Sequence, residues 1–501
     1  MALRSILISM LAAVAALCIA PVHASADEKT VAERPWWLDQ INIMSWATLH
    51  QPEDRSYLEF AAELGSQVAD RGIFCGHYST DPPSATLPHP EQTTTFFRQH
   101  QLKVTAFLSV EQWDPAPAAV TKLISTLEGY VDGGCDGVHL DMLFQPRGEQ
   151  DALASIRRMR DELHQYSRAK YRRDVLFTGN VWRLDSPFAL RAAALTDVVW
   201  IESWGKSDLE QVRVARVARS LSNSQMPVWY HLQPDTDTQD RVLKLVNLPA
   251  ALFAGCLYED AQFLCNYKYP VPTTVAQAKP GQPTIDWKMT YINPGWRQTL
   301  VRYAAFARTY RAYLTGTTPV SSVLVAFRPE EVEQANGIMD ELLAHGIDFN
   351  VLAYGDAPMR PATAETLGHY PVIVTPSRRP ELNSLAKTAV FATRAEDVYN
   401  GPVDTVQSLL KIGGVKNVVG RVFVQGRRRI VHLKQTGYTD GADGLQKTGP
   451  LTLTLYAPGV RSAICVSPDE PGKLTPALHR QGNYVTFTIP GVTYFALVVL
   501  E

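Results

Sequence analysis

Two carboxylates stand where this sequence could do chemistry. Asp141 closes the apolar run Gly137-Val138-His139-Leu140-Asp141, and Glu202 closes Val198-Val199-Trp200-Ile201-Glu202. Side chains alternate along a strand, so His139 shares a face with Asp141, and Trp200 shares a face with Glu202. Two acids brought to one rim can divide the work: one donates and recovers a proton, while the other attacks carbon or activates water. Glycosidic acetals yield to that division most simply, because their leaving oxygen needs a proton and the carbon left behind becomes electron-poor. The gap between the carboxyls selects the outcome, about 5–5.5 Å for retention and roughly 6.5–9.5 Å for inversion. Trp200 and Trp204 make the surroundings of Glu202 apolar, which favours the protonated form that a proton donor needs.

The other strand ends add Trp46, His77, Glu111, Trp113, Asn180, Trp182, Trp204, His231, Glu259 and Asp260. Flat rings beside hydrogen-bonding groups suit sugars, which have apolar faces and a rim of hydroxyls. These residues, with His139, are the expected carbohydrate contacts. His139 is also placed to orient Asp141 or to bond a sugar hydroxyl. Two other readings compete. A catalytically silent barrel could use the same rim to bind glycan, and a metal-dependent hydrolase could draw on His77, His139, Asp141 and His231. The second is weaker, because the chain has neither HxH nor HxxxH spacing and no CxxC. No metal or cofactor is expected.

Elements to carry these residues follow from periodicity. Strand-like runs fall at 41–46, within 67–78, at 102–110, within the stretch 133–142 that ends on Asp141, and at 174–180, 197–204, 227–232 and 255–260. Helical spacing separates them at 52–64, 91–100, 118–131, 150–172, 187–195, 209–221 and 238–253, and 295–314 supplies a closing helix. Alternation of this kind over 27–316 is that of a (β/α)8 TIM barrel, whose chemistry sits at the C-terminal ends of its strands. A doubly wound sheet is the alternative, since the second strand is weakly patterned. A Tyr- and Pro-rich insertion at 261–294 should then lie on the active face.

The pattern changes twice further on. Residues 317–415 read as a small parallel α/β unit with strands at 322–327, 348–352 and 371–376. Residues 416–501 read as a C-terminal antiparallel β-sandwich of short alternating strands. Over 501 residues, with 46% hydrophobic and 20% charged residues and a formal net charge of −2, nothing points to disorder or to a nucleic-acid partner. Residues 1–26 combine a basic start at Arg4, an apolar run and the small-residue end Ala24-Ser25-Ala26. That is an export signal, so a periplasmic or secreted protein is expected, free of the membrane after cleavage. Cys256 and Cys265 are then the most plausible disulfide, though spacing does not fix the pairing. A homo-oligomer is compatible with the sequence.

The order of the acids carries a resemblance. Asp136-Gly137-Val138-His139-Leu140-Asp141 at the fourth strand, Trp200-Ile201-Glu202-Ser203-Trp204 at the sixth, and a C-terminal β-domain are similar to retaining α-glycoside hydrolases, in particular the dextranase and cycloisomaltooligosaccharide glucanotransferase family. The resemblance implies Asp141 as nucleophile and Glu202 as acid/base. The chain departs from that family in lacking a recognisable N-terminal sandwich. Its α/β unit instead resembles the flavodoxin-like domain that follows the barrel in some β-galactosidases. Those enzymes take their nucleophile, a Glu, from strand seven, where this chain has Tyr230-His231-Leu232.

Overall fold

The computed structural model describes residues 35–38, 44–46, 62–63, 65, 67–77, 90–181, 183–202, 208–221, 228–231, 257–259, 294–399, 409–415, 417–436 and 445–501. The chain forms two units, Met1–Trp36 and Trp37–Glu501, and all strands and helices named below belong to the second. The expected export signal, the helix at 238–253, most of the 261–294 insertion, and Cys256 and Cys265 lie outside the described residues. No described helix is long and apolar enough to cross a membrane.

Eight parallel strands close into a barrel in sequence order. They are β1 (Met44–Trp46), β2 (Val68–His77), β3 (Lys103–Ser109), β4 (Gly137–Asp141), β5 (Leu176–Val181), β6 (Val198–Glu202), β7 (Val228–His231) and β8 (Leu257–Glu259). The doubly wound alternative is thereby excluded. Helices at Pro90–Gln99, Pro117–Asp132, Ala152–Tyr171, Pro187–Ala193, Asp208–Ser220 and Pro294–Thr309 follow in turn. Strand β2 explains its own weak signal: its pairing with β3 slips between Ala69 and Ile73 and again between Phe74 and His77. Extra residues there break the alternation that a sequence reading relies on.

The central strands are buried on both faces, as a parallel sheet under helices requires. Strand β4 is buried along its length except at Asp141. Its entry is set by the end of the preceding helix, where Gly134 takes φ +94° and a Cβ would sit 2.8 Å from Thr94 Oγ1. Asp136 follows, 4% exposed. It accepts the Val104 amide at 3.1 Å and sits among Arg173, Arg98 and Lys103 at 3.2, 3.5 and 3.5 Å. This bolt ties β3, the entry to β4, the helix at Pro90–Gln99 and the segment that follows the helix at Ala152–Tyr171, at the N-terminal end of the barrel, the end that carries stability.

After the barrel, strands β10 (Val323–Phe327), β11 (Asn350–Ala353), β12 (Val372–Val374) and β13 (Val390–Ala392) form a parallel sheet in the order β11-β10-β12-β13. That is the start of the flavodoxin-like order. Two antiparallel sheets make the C-terminal sandwich, one in the order β14 (Leu410–Gly413), β17 (Leu451–Tyr456), β20 (Tyr484–Ile489), β19 (His479–Gln481), the other in the order β18 (Ala463–Val466), β21 (Phe495–Leu500), β16 (Arg428–Gln435), β15 (Val418–Gln425), β9 (Thr318–Val320). Leu433, Leu453, Phe487 and Val498 are among the residues of its core. The short strand β9 (Thr318–Val320) precedes the α/β unit in sequence but pairs with β15 (Val418–Gln425), and β14 (Leu410–Gly413) pairs with β17 (Leu451–Tyr456).

Ion pairs join the three parts. Arg216, on the helix after β6, lies 2.9 Å from Asp348 and over the Phe349 ring at 4.6 Å, while Arg213 reaches Asp340 at 2.6 Å. Burial pushes the Asp348 carboxyl up and the Arg216 guanidinium down, and each charge opposes the other's shift. On the sandwich side the Tyr303 hydroxyl donates to Asp469 at 2.7 Å.

Candidate active site

The site rests on an aromatic floor inside the barrel. Phe107 of β3 meets the His139 ring edge-on with centroids 5.2 Å apart. His139 lies against Trp200 of β6 at 4.0 Å, and Trp200 meets Trp229 of β7 at 5.7 Å. His139 and Trp229 have no exposed surface, and Trp200 has 1%. His139 touches Trp200 across β5, the contact between alternate strands by which a barrel fills its interior. The inward alternation expected for His139 and Trp200 is thus realised.

Two residues further along β4, past this layer, comes Asp141. It is only partly exposed. Its Oδ1 accepts a hydrogen bond from Nδ2 of Asn180 on β5 at 2.6 Å. The other side of the same amide, Oδ1 of Asn180, accepts the backbone N–H of Met142 at 3.2 Å. Among the described residues this is the only side-chain hydrogen bond that Asp141 makes. Its own carbonyl accepts the Val110 amide at 2.9 Å, and Ser109 of β3 stands beside it in register. The chain then turns sharply, with Met142 at φ +63°, a left-handed conformation that costs a non-glycine residue about 1–2 kcal/mol. Such outliers collect where backbone is held for a purpose. The turn is held by Gln145 N–H to Met142 O at 3.0 Å and by Gln112 N–H to Gln145 O at 3.1 Å. Gly179 leaves room for this loop, since a Cβ there would sit 2.8 Å from Leu143 Cβ.

The remaining expected residues divide into three groups. Glu202 ends β6 opposite His231 of β7, His231 stands opposite Glu259 of β8, and His77 stands opposite Ser109. Trp46 ends β1. For these five the backbone puts each at the C-terminal end of its strand. Glu111 and Trp113 lie beyond β3, which stops at Ser109. Glu111 is exposed in the turn, whereas Trp113 is buried with its indole N–H on the Leu143 carbonyl at 2.8 Å. Trp113 therefore braces the loop after β4 instead of offering a face to a sugar. Trp182, Trp204 and Asp260 lie outside the described residues.

His139 stands apart from its expected task. Asn180 supplies the hydrogen bond to Asp141, and His139 is packed into the floor below. Sequence reasoning passed over Phe107, Ser109 and Trp229. The alternation Thr105-Phe107-Ser109 would have marked the first two, had the strand not been read through to Val110. Among the described residues no three His, Cys, Asp or Glu side chains converge as a metal site.

No family model matches the chain, and no curated protein matches its sequence. Solved structures do match its fold. The α-L-fucosidase isoenzyme 2 from Paenibacillus thiaminolyticus aligns with a TM-score of 0.63 at 10% identity, over 92% of this chain and 99% of that one. A β-galactosidase from G. stearothermophilus aligns at 0.53 and 8% identity, over 92% and 98%. A β-galactosidase from Rahnella sp. R3 aligns at 0.51 and 10% identity, again over 92% and 98%. At such identities the likeness is one of fold alone. The chain is a TIM barrel extended by an α/β unit and a β-sandwich, and its fold is similar over nearly its whole length to those of the α-L-fucosidase and the two β-galactosidases.

Proposed function

We propose that the protein is an exported glycoside hydrolase that cleaves an α-linked oligo- or polysaccharide with retention of configuration. The observation that carries this reading is Asp141: a carboxylate at the tip of β4, partly open, with Oδ1 held by Asn180 and no hydrogen bond on Oδ2 among the described residues. A nucleophile needs one oxygen fixed and one available, and Asp141 meets that need, whereas Asp136 has both of its oxygens engaged. The glycosidase names of the fold neighbours support the reaction class, and the pattern of residues 1–26 supports export.

In this reading Oδ2 of Asp141 attacks the anomeric carbon as Glu202 gives its proton to the leaving oxygen, so that one C–O bond forms and one breaks. Glu202, now a carboxylate, takes a proton from water, and that water displaces Asp141 to release the sugar and regenerate both groups. The aromatic floor keeps water from beneath the reacting carbon. Trp46, His77, Trp182, Trp204, His231, Glu259 and Asp260 are the proposed rim for sugar hydroxyls and faces.

The test is a screen of the mature protein on α-linked aryl glycosides and polysaccharides, followed by a 2-deoxy-2-fluoro glycoside of the sugar that is turned over. A glycosyl adduct on the peptide holding Asp141 is expected. An adduct on another residue, or product of inverted configuration, overturns the assignment. Tight glycan binding with no turnover would make the barrel a binding module instead.

A further inference from the structure

Asn180 sits between the proposed nucleophile and the turn that follows it. Its amide is bifunctional in a way that the geometry itself assigns. The backbone N–H of Met142 can only donate, so the Asn180 atom 3.2 Å from it must be the amide oxygen. The NH2 group then necessarily points at Asp141, where it lies 2.6 Å from Oδ1. Reversing the amide would oppose two donors on one side and two acceptors on the other. Asn180 is itself 6% exposed and therefore fixed by packing. Among the described residues, the groups beside Asp141 on the flanking strands are Ser109 of β3 in register and Asn180 of β5, and the His139 ring lies below against Trp200.

We infer that Asn180 is a positioning residue for the reaction: it selects which oxygen of Asp141 attacks, by holding Oδ1 and turning Oδ2 toward the substrate, and it shares that task with the left-handed turn at Met142. The inference rests on Asp141 being the nucleophile. It assigns Asn180 to the carboxylate, a task distinct from binding sugar. The pairing also links chemistry to backbone, because any movement of the loop after β4 pulls on the Asn180 oxygen and so rotates the amide that steers Asp141.

Two variants separate this role from a merely structural one. Asn180→Asp keeps an acceptor for the Met142 N–H and nearly the same shape, but it loses the donor and sets a second carboxylate against Oδ1. Asn180→Ala loses both. Misplacing a reacting group by about 1 Å costs roughly 10²-fold, so kcat should fall about that much in both variants, with KM changed no more than about threefold. In Asn180→Asp the two neighbouring carboxyls share a proton, so the acid limb of the kcat/KM profile should also move up by about one pH unit or more. Asn180→Ala should leave that limb near its original position. If Asn180→Asp retains near-normal kcat and an unmoved acid limb, the residue only anchors the turn and the inference fails. Asp141→Ala in parallel keeps the two ideas apart. Turnover surviving in Asp141→Ala sinks the nucleophile, whereas an inactive Asp141→Ala beside a normal Asn180→Asp sinks only the role of Asn180.

Discussion

Asp136 leads into β4 and Asp141 ends it, and the two aspartates are treated in opposite ways. Asp136 is 4% exposed, with three cations within 3.5 Å and a backbone N–H on its Oδ2. Asp141 is partly exposed, and a single neutral amide holds it. The first acid has spent its acceptor capacity on neighbouring elements and has none left for a substrate. The second keeps an oxygen in reserve. A structural acid thus leads into the strand and the proposed chemical acid ends it, the polarity on which barrel enzymes are built.

The largest expected effect tests the C-terminal member. Asp141→Asn keeps the size of the side chain and removes the nucleophilic charge, so turnover of a confirmed substrate should drop roughly 10⁴-fold or more. The thermal midpoint should barely move, because no ion pair is lost among the described residues. A large fall in midpoint would mean that Asp141 is a second bolt, and the contrast between the two ends would collapse.

Next in size is a buried acid far from the rim. Asp348 depends on Arg216, whose side chain is 1% exposed. Removing one partner of a buried pair costs about 3–5 kcal/mol, and the 17% exposure of the Asp348 side chain argues for the lower end. Arg216→Met should therefore lower stability by about 3 kcal/mol in denaturant unfolding, while the protein that remains folded keeps its kcat. Asp136→Ala comes third. It strands the Val104 N–H, a loss of about 1–3 kcal/mol, and its three cations are exposed enough to rehydrate. A tenfold loss of kcat in folded Asp136→Ala would show that the bolt also positions the site.

Much of this arrangement was legible in sequence because it depends on local pattern. The runs ending in Asp141 and Glu202 are continuous and apolar, so both strands and their terminal acids could be placed before any coordinates. Contacts that depend on closure were not legible. The Asn180 amide reaches Asp141 only because β4 and β5 lie side by side, and Trp113 turns inward to a carbonyl supplied by the next loop. Strand β2 hid behind two register shifts. Strands β13, β14 and β19 (His479–Gln481) are too short to show a period. Strand β9 belongs with the sandwich although a whole α/β unit intervenes, an association that no local pattern records.

The smallest expected effect concerns Asp469, an acid of the C-terminal sandwich region whose surroundings are intermediate between those of Asp136 and Asp141. Asp469 is buried like Asp136, but most of its partners are neutral: the Tyr303 hydroxyl at 2.7 Å and the N–H groups of Phe495 and Tyr494 at 3.1 and 3.2 Å, with Arg302 at 3.7 Å. Burial pushes its carboxyl above the ordinary aspartate value, and these partners do not fully cancel the rise. A raised value means that the folded state holds the proton more tightly than the unfolded state. Its contribution is complete below the ordinary aspartate value and is lost as pH rises through the folded value. Wild-type stability should accordingly decline over that acidic window. Asp469→Asn should flatten this part of the profile, since its amide can still donate to the Tyr303 oxygen while its carbonyl accepts from Phe495 and Tyr494. Denaturant midpoints measured across the window for both proteins decide the matter. Equal slopes would mean that neutral donors hold a buried carboxylate as well as the cations around Asp136 do, and that partner charge is not what separates the two ends of β4.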